Sequence, residues 1–272
     1  MPLSGPGPVT LPVLNNKGGI GKTTTAVNLA AALSRAGVTV LLVDLDSQAS
    51  ASLSLGLERP ALSPSVADVL FADAPIEDSI RALPDEPFDL LPASMDLASA
   101  DVKLFEAADR HRRLRRCLQE VESLYDIILL DCPPSTSLLT LNAMMAGDAL
   151  LIPVSPAYLA LEGIVQLGDV ITQVRSSLDE TAPVLGLLLT MVDRSREHEE
   201  QMIAQVRAHY GDQVFTTEID TDDALSAAAE RGRSVFDHAP ASRGAEAHAA
   251  LADEVLARLE QAREASSSAS AA

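Results

Sequence analysis

A doubly wound α/β fold, with a mostly parallel sheet and helices on both faces, is predicted from three features of the 272-residue sequence. Short apolar runs at 38–43, 127–130 and 184–192 are continuous rather than alternating, as expected of parallel strands covered on both faces. These runs alternate with segments of helical periodicity. Between the first apolar run and an alanine-rich amphipathic segment stands Asn16-Lys17-Gly18-Gly19-Ile20-Gly21-Lys22-Thr23-Thr24-Thr25. Its glycines let backbone N–H groups converge on phosphate oxygens, Lys22 adds a point charge, and Thr23 opens a helix with an electropositive N-terminus.

In chain order, residues 1–8 read as a flexible Pro/Gly leader with neither the positive nor the apolar region of a signal peptide. The first strand spans 9–15. Pro12 within it cannot donate to a ladder, so a bulge or a shortened strand is expected. A helix follows over 23–36, with Val27, Ala30, Ala31 and Leu33 facing the sheet and Gly37 ending it. The run 38–43 leads into Asp44-Leu45-Asp46-Ser47-Gln48. Carboxylates at i and i+2 beyond a strand end lie on one side of the chain, aimed at the edge where phosphates bind. Either aspartate alone reads equally well as a helix N-cap or a turn residue.

Residues 50–98 are proline-rich short helices and turns with a strand at 88–91. A longer helix is expected over 100–123, carrying the basic cluster Arg110-His111-Arg112-Arg113-Leu114-Arg115-Arg116. The plain reading is a solvated face, with Leu104, Leu114 and Leu118 turned inward; the other is contact with phosphate or nucleic acid. The run 125–131 ends in Asp131, a carboxylate held by a buried strand beside the metal of the phosphate loop. Strands at 149–154 and 184–192 complete the buried set. A final helix over 245–264 places Leu251, Val255, Leu256 and Leu259 on one face, and its acidic, alanine-rich composition favours packing on the domain over a membrane surface. Residues 9–264 are thus expected to form a single domain, with 265–272 a disordered Ser/Ala tail.

Composition bounds the function. Hydrophobic residues make up 47% of the chain, yet no apolar run approaches the roughly 20 residues of a membrane span, so a cytoplasmic protein without membrane contact is expected. A net charge of −19 argues against a surface that coats DNA generally and leaves room for a local basic patch. Cys117 and Cys132 form neither a disulfide framework nor a paired metal-ligand spacing.

The glycine-rich loop departs from G-x-x-x-x-G-K-[ST] at Asn16 and adds a second lysine, Lys17. In this it resembles the deviant Walker A signature of the ParA family within the ParA/MinD superfamily of dimeric P-loop ATPases. Asp131-Cys132-Pro133-Pro134-Ser135 resembles that family's switch II, and Asp44 to Gln48 its switch I, with Ser47 where a proline is usual. Residues 158–163 resemble its dimer-facing helix. The likeness covers about 9–259 and implies a P-loop NTPase fold.

The resemblance further implies an ATPase dependent on Mg²⁺ that dimerises on ATP, binds nonspecific DNA and partitions chromosomal or plasmid DNA. Gly18, Gly19, Ile20, Gly21, Lys22, Thr23 and Thr24 would hold the nucleotide, and Lys17 would reach across to the partner's. Thr23 and Asp131 would hold the metal, Asp44 would act on it through water, and Asp46 would orient the attacking water. Met191 and Asp222 fall in the region of the adenine pocket, and Arg207 and Arg233 are the candidate DNA contacts, in places where chains of the family also tend to be basic. Partners implied are a second copy with ATP sandwiched between, a ParB-like activator and nonspecific DNA. Residues 216–222 lack the I-P-R-N segment of the family, and Thr221 cannot neutralise a phosphate. The alternatives are a relative positioning a cargo other than DNA, a nucleotide-gated binding module with little hydrolysis, and a metabolic ligase of the same superfamily.

Overall fold

The computed structural model describes residues 7–158, 168, 172 and 182–270. Its sheet contains β1 (Val9–Val13), β2 (Val40–Asp44), β3 (Arg81–Ala82), β4 (Asp89–Leu91), β5 (Ile127–Asp131), β6 (Leu150–Val154), β7 (Val184–Val192) and β8 (Val214–Asp220). They lie in the order β3-β4-β2-β5-β1-β6-β7-β8, and every pairing is parallel except that of β3 with β4. The helices are α1 (Lys22–Arg35), α2 (Ser50–Ser54), α3 (Val66–Phe71), α4 (Ile76–Ser79), α5 (Ala100–Glu106), α6 (Arg113–Leu118), α7 (Leu138–Ala146), α8 (Glu197–Tyr210), α9 (Asp223–Glu230), α10 (Val235–His238) and α11 (Arg243–Ser270).

Strand periodicity sorts the core into two layers. Val40, Leu42, Ile127 and Leu129 face one side with Leu29 and Leu33 of α1 and Leu251, Val255 and Leu259 of α11. Leu41, Val43, Ile128 and Leu130 face the other with Leu70, Leu104, Leu114, Leu118 and Leu139. Both layers press on the same central strands, which therefore end together at one edge and present Asp44 and Asp131 as neighbours in register.

Pro12 is accommodated differently from the expected bulge. The register of β1 on β5 is continuous from Val9 to Val13. The odd-numbered residues of β1 bond to β5, and the even-numbered ones face β6, where Thr10 N–H donates to Asp148 Oδ2 at 2.7 Å and Leu14 N–H to the Leu151 carbonyl at 3.1 Å. Pro12 lies between them, so its missing N–H falls on the β6 side, where the ladder is reduced to Val13 opposite Leu151. Gly147 makes room for the ring: a Cβ there would lie 2.7 Å from Pro12 Cδ.

The helix expected over 100–123 is broken between α5 and α6. In an unbroken helix the Leu114 N–H would donate to the Arg110 carbonyl. Instead Asn142 of α7 takes both ends: its Nδ2 donates to the Arg110 carbonyl at 2.6 Å and its Oδ1 accepts from Leu114 N–H at 3.3 Å. Arg110 to Arg112 consequently sit in a turn. The last helix continues to Ser270, past the point where the disordered tail is expected to begin. Residues 1–6 of the leader, 271–272 of the tail and 159–163 of the expected dimer-facing helix lie outside the described residues.

Candidate active site

The glycine-rich loop leaves β1 and turns into α1. Gly19 and Gly21 hold φ of +70° and +83°, backbone conformations that L side chains rarely adopt, and Gly21 is the N-cap of α1. Ile20 between them is buried, and its carbonyl accepts from Thr190 Oγ1 of β7 at 2.8 Å, while the same hydroxyl lies 3.3 Å from the Val154 carbonyl. Thr190 thus ties the loop to the ends of β6 and β7. Lys22 is buried to 7% exposure, and its Nζ donates to the Lys17 carbonyl at 2.6 Å. Burial pulls its ammonium below the usual lysine value, opposed by Asp131, Cys132 and Asp46. Lys17 and Gly18 are exposed at the turn, and Thr24 is half-buried with its carbonyl accepting from Asn28 Nδ2 at 2.8 Å.

Thr23 Oγ1 donates to Asp131 Oδ2 at 2.8 Å. Asp131 is fully buried, and among the described residues its Oδ1 has no hydrogen-bond partner. Burial and then the Asp44 carboxylate push its carboxyl well above the usual range, against the Thr23 hydroxyl and the Lys22 ammonium. Asp44 is pushed up to about 6, chiefly by burial, even though Ser52 N–H, Ser52 Oγ and Asp46 N–H donate to it at 2.9, 2.7 and 3.1 Å. Asp46 is half-buried beyond the strand end, and its Oδ1 accepts from Gln48 N–H at 2.9 Å. Two adjoining buried carboxylates resist joint ionisation, and a partnerless buried carboxylate oxygen is costly. Both are relieved by a hard divalent cation at Asp131 Oδ1 and Thr23 Oγ1, the oxygen donors Mg²⁺ selects.

Lys22, Thr23, Asp44, Asp46 and Asp131 thus lie together at one edge of the sheet. Met191 stands at the same sheet edge, 39% exposed and with a left-handed φ of +54°. Asp222 is occupied structurally: it caps α9 by accepting from Ala224 N–H at 2.9 Å and bonds Gly244 N–H at 2.8 Å, which holds its carboxyl below the usual range. Arg207 donates to Glu218 at 2.6 Å and to the Phe215 carbonyl at 3.1 Å. Arg233 pairs with Asp237 at 2.8 Å and lies 3.6 Å from Asp85. Cys132 is buried, which pushes its thiol up and keeps it protonated. Sequence reasoning missed Thr190 and Ser52, polar residues with no motif around them, whose partners are set by strand order.

A helix N-terminus approached by such a loop, with the Thr23 hydroxyl bonded to a buried strand-end carboxylate beside it, defines a P-loop nucleotide-binding protein. Residues 9–183 match the family described as AAA domain. The chain is 43% identical over 250 residues to the chromosome-partitioning ATPase Soj of Thermus thermophilus, covering 91% of this chain and 95% of that one. It is 39% identical over 250 residues to the chromosome partitioning protein ParA of Caulobacter vibrioides, covering 91% and 94%. Among solved structures, cobyrinic acid a,c-diamide synthase from Mycobacterium smegmatis with bound ATP analogue and magnesium is 33% identical, with a TM-score of 0.79 and coverage of 90% and 93%. The chain belongs to the ParA family of the ParA/MinD superfamily of P-loop ATPases.

Proposed function

We propose that this protein is a cytoplasmic, Mg²⁺-dependent ATPase that dimerises on ATP and uses its nucleotide state to hold and release nonspecific DNA during partitioning of chromosomes or plasmids. The observation that carries the ATPase reading is the bond of the half-buried Thr23 hydroxyl to the fully buried Asp131 at 2.8 Å, with Asp131 Oδ1 left without a partner among the described residues. The partitioning relatives share more identity than the synthase does, over an equal part of the chain, which favours partitioning over a metabolic reaction.

In this reading the amides from Gly18 to Thr24 cradle the phosphates, and Lys22 leaves the Lys17 carbonyl for the β- and γ-phosphate oxygens. Thr23 Oγ1 and Asp131 hold the metal, which supplies charge neutralisation on the phosphates when bound. Asp44, the register neighbour of Asp131 on β2, would act through water on a bound metal. Asp46 accepts a hydrogen bond from the attacking water and orients it in line with the scissile bond. Lys17 reaches the nucleotide of a second copy, so that each site is completed by dimerisation, and a ParB-like activator accelerates turnover. Met191 borders the adenine.

Gel filtration tests the switch. The wild type is expected to elute as a dimer with ATP and a monomer without it, and Asp46→Ala to remain dimeric in ATP because turnover is blocked. A monomer under both conditions defeats the reading. A second reading, positioning of a cargo other than DNA, is favoured by the carboxylate pairing of Arg207 and Arg233 together with the −19 charge. Retention of duplex DNA by the ATP form at low salt, with release as salt rises, separates the two.

A further inference from the structure

Resting on the DNA-binding reading above, we propose that the DNA-contacting surface of this chain is the arginine groove of the α5–α6 turn and α6, rather than Arg207 and Arg233. Residues 110–116 hold five of the chain's 20 lysines and arginines. Asp109, Arg112, Arg115, Arg116 and Gln119 line one groove on the surface. Arg115 and Arg116 lie on α6, and Arg112 and Gln119 cap its two ends, so the three arginines stand within about one helical turn of each other. Arg115 is exposed, and the Arg116 side chain is 78% exposed, 3.7 Å from Asp109. Asp109 is chiefly engaged by Arg113, at 3.0 Å, whose Nε also donates to the Leu70 carbonyl. Arg113 therefore builds the turn, while Arg115 and Arg116 are exposed to solvent.

The two arginines expected as DNA contacts, Arg207 and Arg233, are placed differently. Glu218 and two backbone carbonyls take the donors of Arg207, and Asp237 and Asp85 flank Arg233. Moving either onto a phosphate requires breaking a carboxylate pair. In a chain of net charge −19, a polyanion is repelled over most of the surface and can approach where cations are concentrated. The groove is also joined to the nucleotide site: Asn142, which closes the α5–α6 turn, lies on α7, the first helix after Asp131 and the segment Cys132 to Ser135.

The test uses the full chain with ATP and a fluorescent nonspecific duplex, titrated with salt. The double variant Arg115→Ala/Arg116→Ala is expected to lose tenfold or more in affinity at low salt. Its log–log salt slope should shrink by about 2 per chain, at roughly 0.9 per phosphate contact removed. Arg115→Lys/Arg116→Lys should retain most of the binding, and thermal melting and intrinsic ATP turnover should match the wild type in both variants. If the alanine pair binds DNA as the wild type does while Arg207→Ala or Arg233→Ala abolishes binding, the groove assignment is overturned and the DNA reading stands. If the wild type retains no DNA in ATP at low salt, both fail. Binding of a poly-glutamate peptide at the groove, with no duplex retained, would instead assign it to an acidic protein partner and overturn the inference.

Discussion

Thr190 shows how much a single hydroxyl can hold. Its bond to the Ile20 carbonyl joins the tip of β7 to the phosphate loop, and Ile20 is too buried for water to replace it. Thr190→Val keeps the shape and removes the donor, at a cost of about 1–3 kcal/mol for the orphaned carbonyl. ATP affinity is expected to fall about tenfold, with kcat less affected; Thr190→Ser should restore it, as nucleotide titration beside a thermal melt will check. Lys22, Thr23 and Asp131 were legible in the sequence because their chemistry is local to a loop and a strand end, whereas Thr190 meets Ile20 only once β7 has taken its place in the sheet. His248 is a second case. It is fully buried on α11 with Nδ1 2.7 Å from the Gly244 carbonyl, and burial lowers it to about 4. The unfolded chain therefore binds the extra proton between pH 6.5 and 4, so His248 costs the fold stability as pH falls through that window. The loss at pH 5 relative to pH 7 comes to about 2 kcal/mol for a shift from 6.5 to about 4. Urea melts of His248→Asn at the two pH values should lack this component of the slope.

At the level of elements, the strands were the most legible part of the chain. Continuous aliphatic runs announced β2, β5 and β7, because a strand covered on both faces needs no alternation. The break between α5 and α6 was hidden, since the residues of 107–112 carry no proline or glycine and the interruption comes from Asn142 on another helix. The fit of β1 was half visible: Pro12 was conspicuous, but its complement at Gly147 was not. Gly147→Ala is expected to destabilise the protein by about 1–3 kcal/mol, because its Cβ meets a rigid ring. Adding Pro12→Ala should recover part of that loss, and denaturant melts of the single and double variants will measure the coupling.

For the molecule as a whole, charge and sheet order set the terms of function. With 39 acidic side chains against 20 basic ones, any polyanion must be met by a small concentrated surface, and its binding must weaken steeply with salt. The sheet gathers Asp44 and Asp131 at its β2–β5 pair and the glycine-rich loop at β1, all on one edge. Between β1 and β6, however, the ladder thins to a single bridge, so five strands meet three across a narrow waist. Beside the site this waist is spanned by Leu14 N–H on the Leu151 carbonyl, Thr190 on Ile20 and Asn15 Nδ2 on the Pro153 carbonyl at 2.8 Å. The loop that grips phosphate is thereby also the clasp between two parts of the molecule. Hydrogen exchange along β6 and β7 should accordingly slow when nucleotide tightens it, making the far side of the sheet a reporter of what the near side holds.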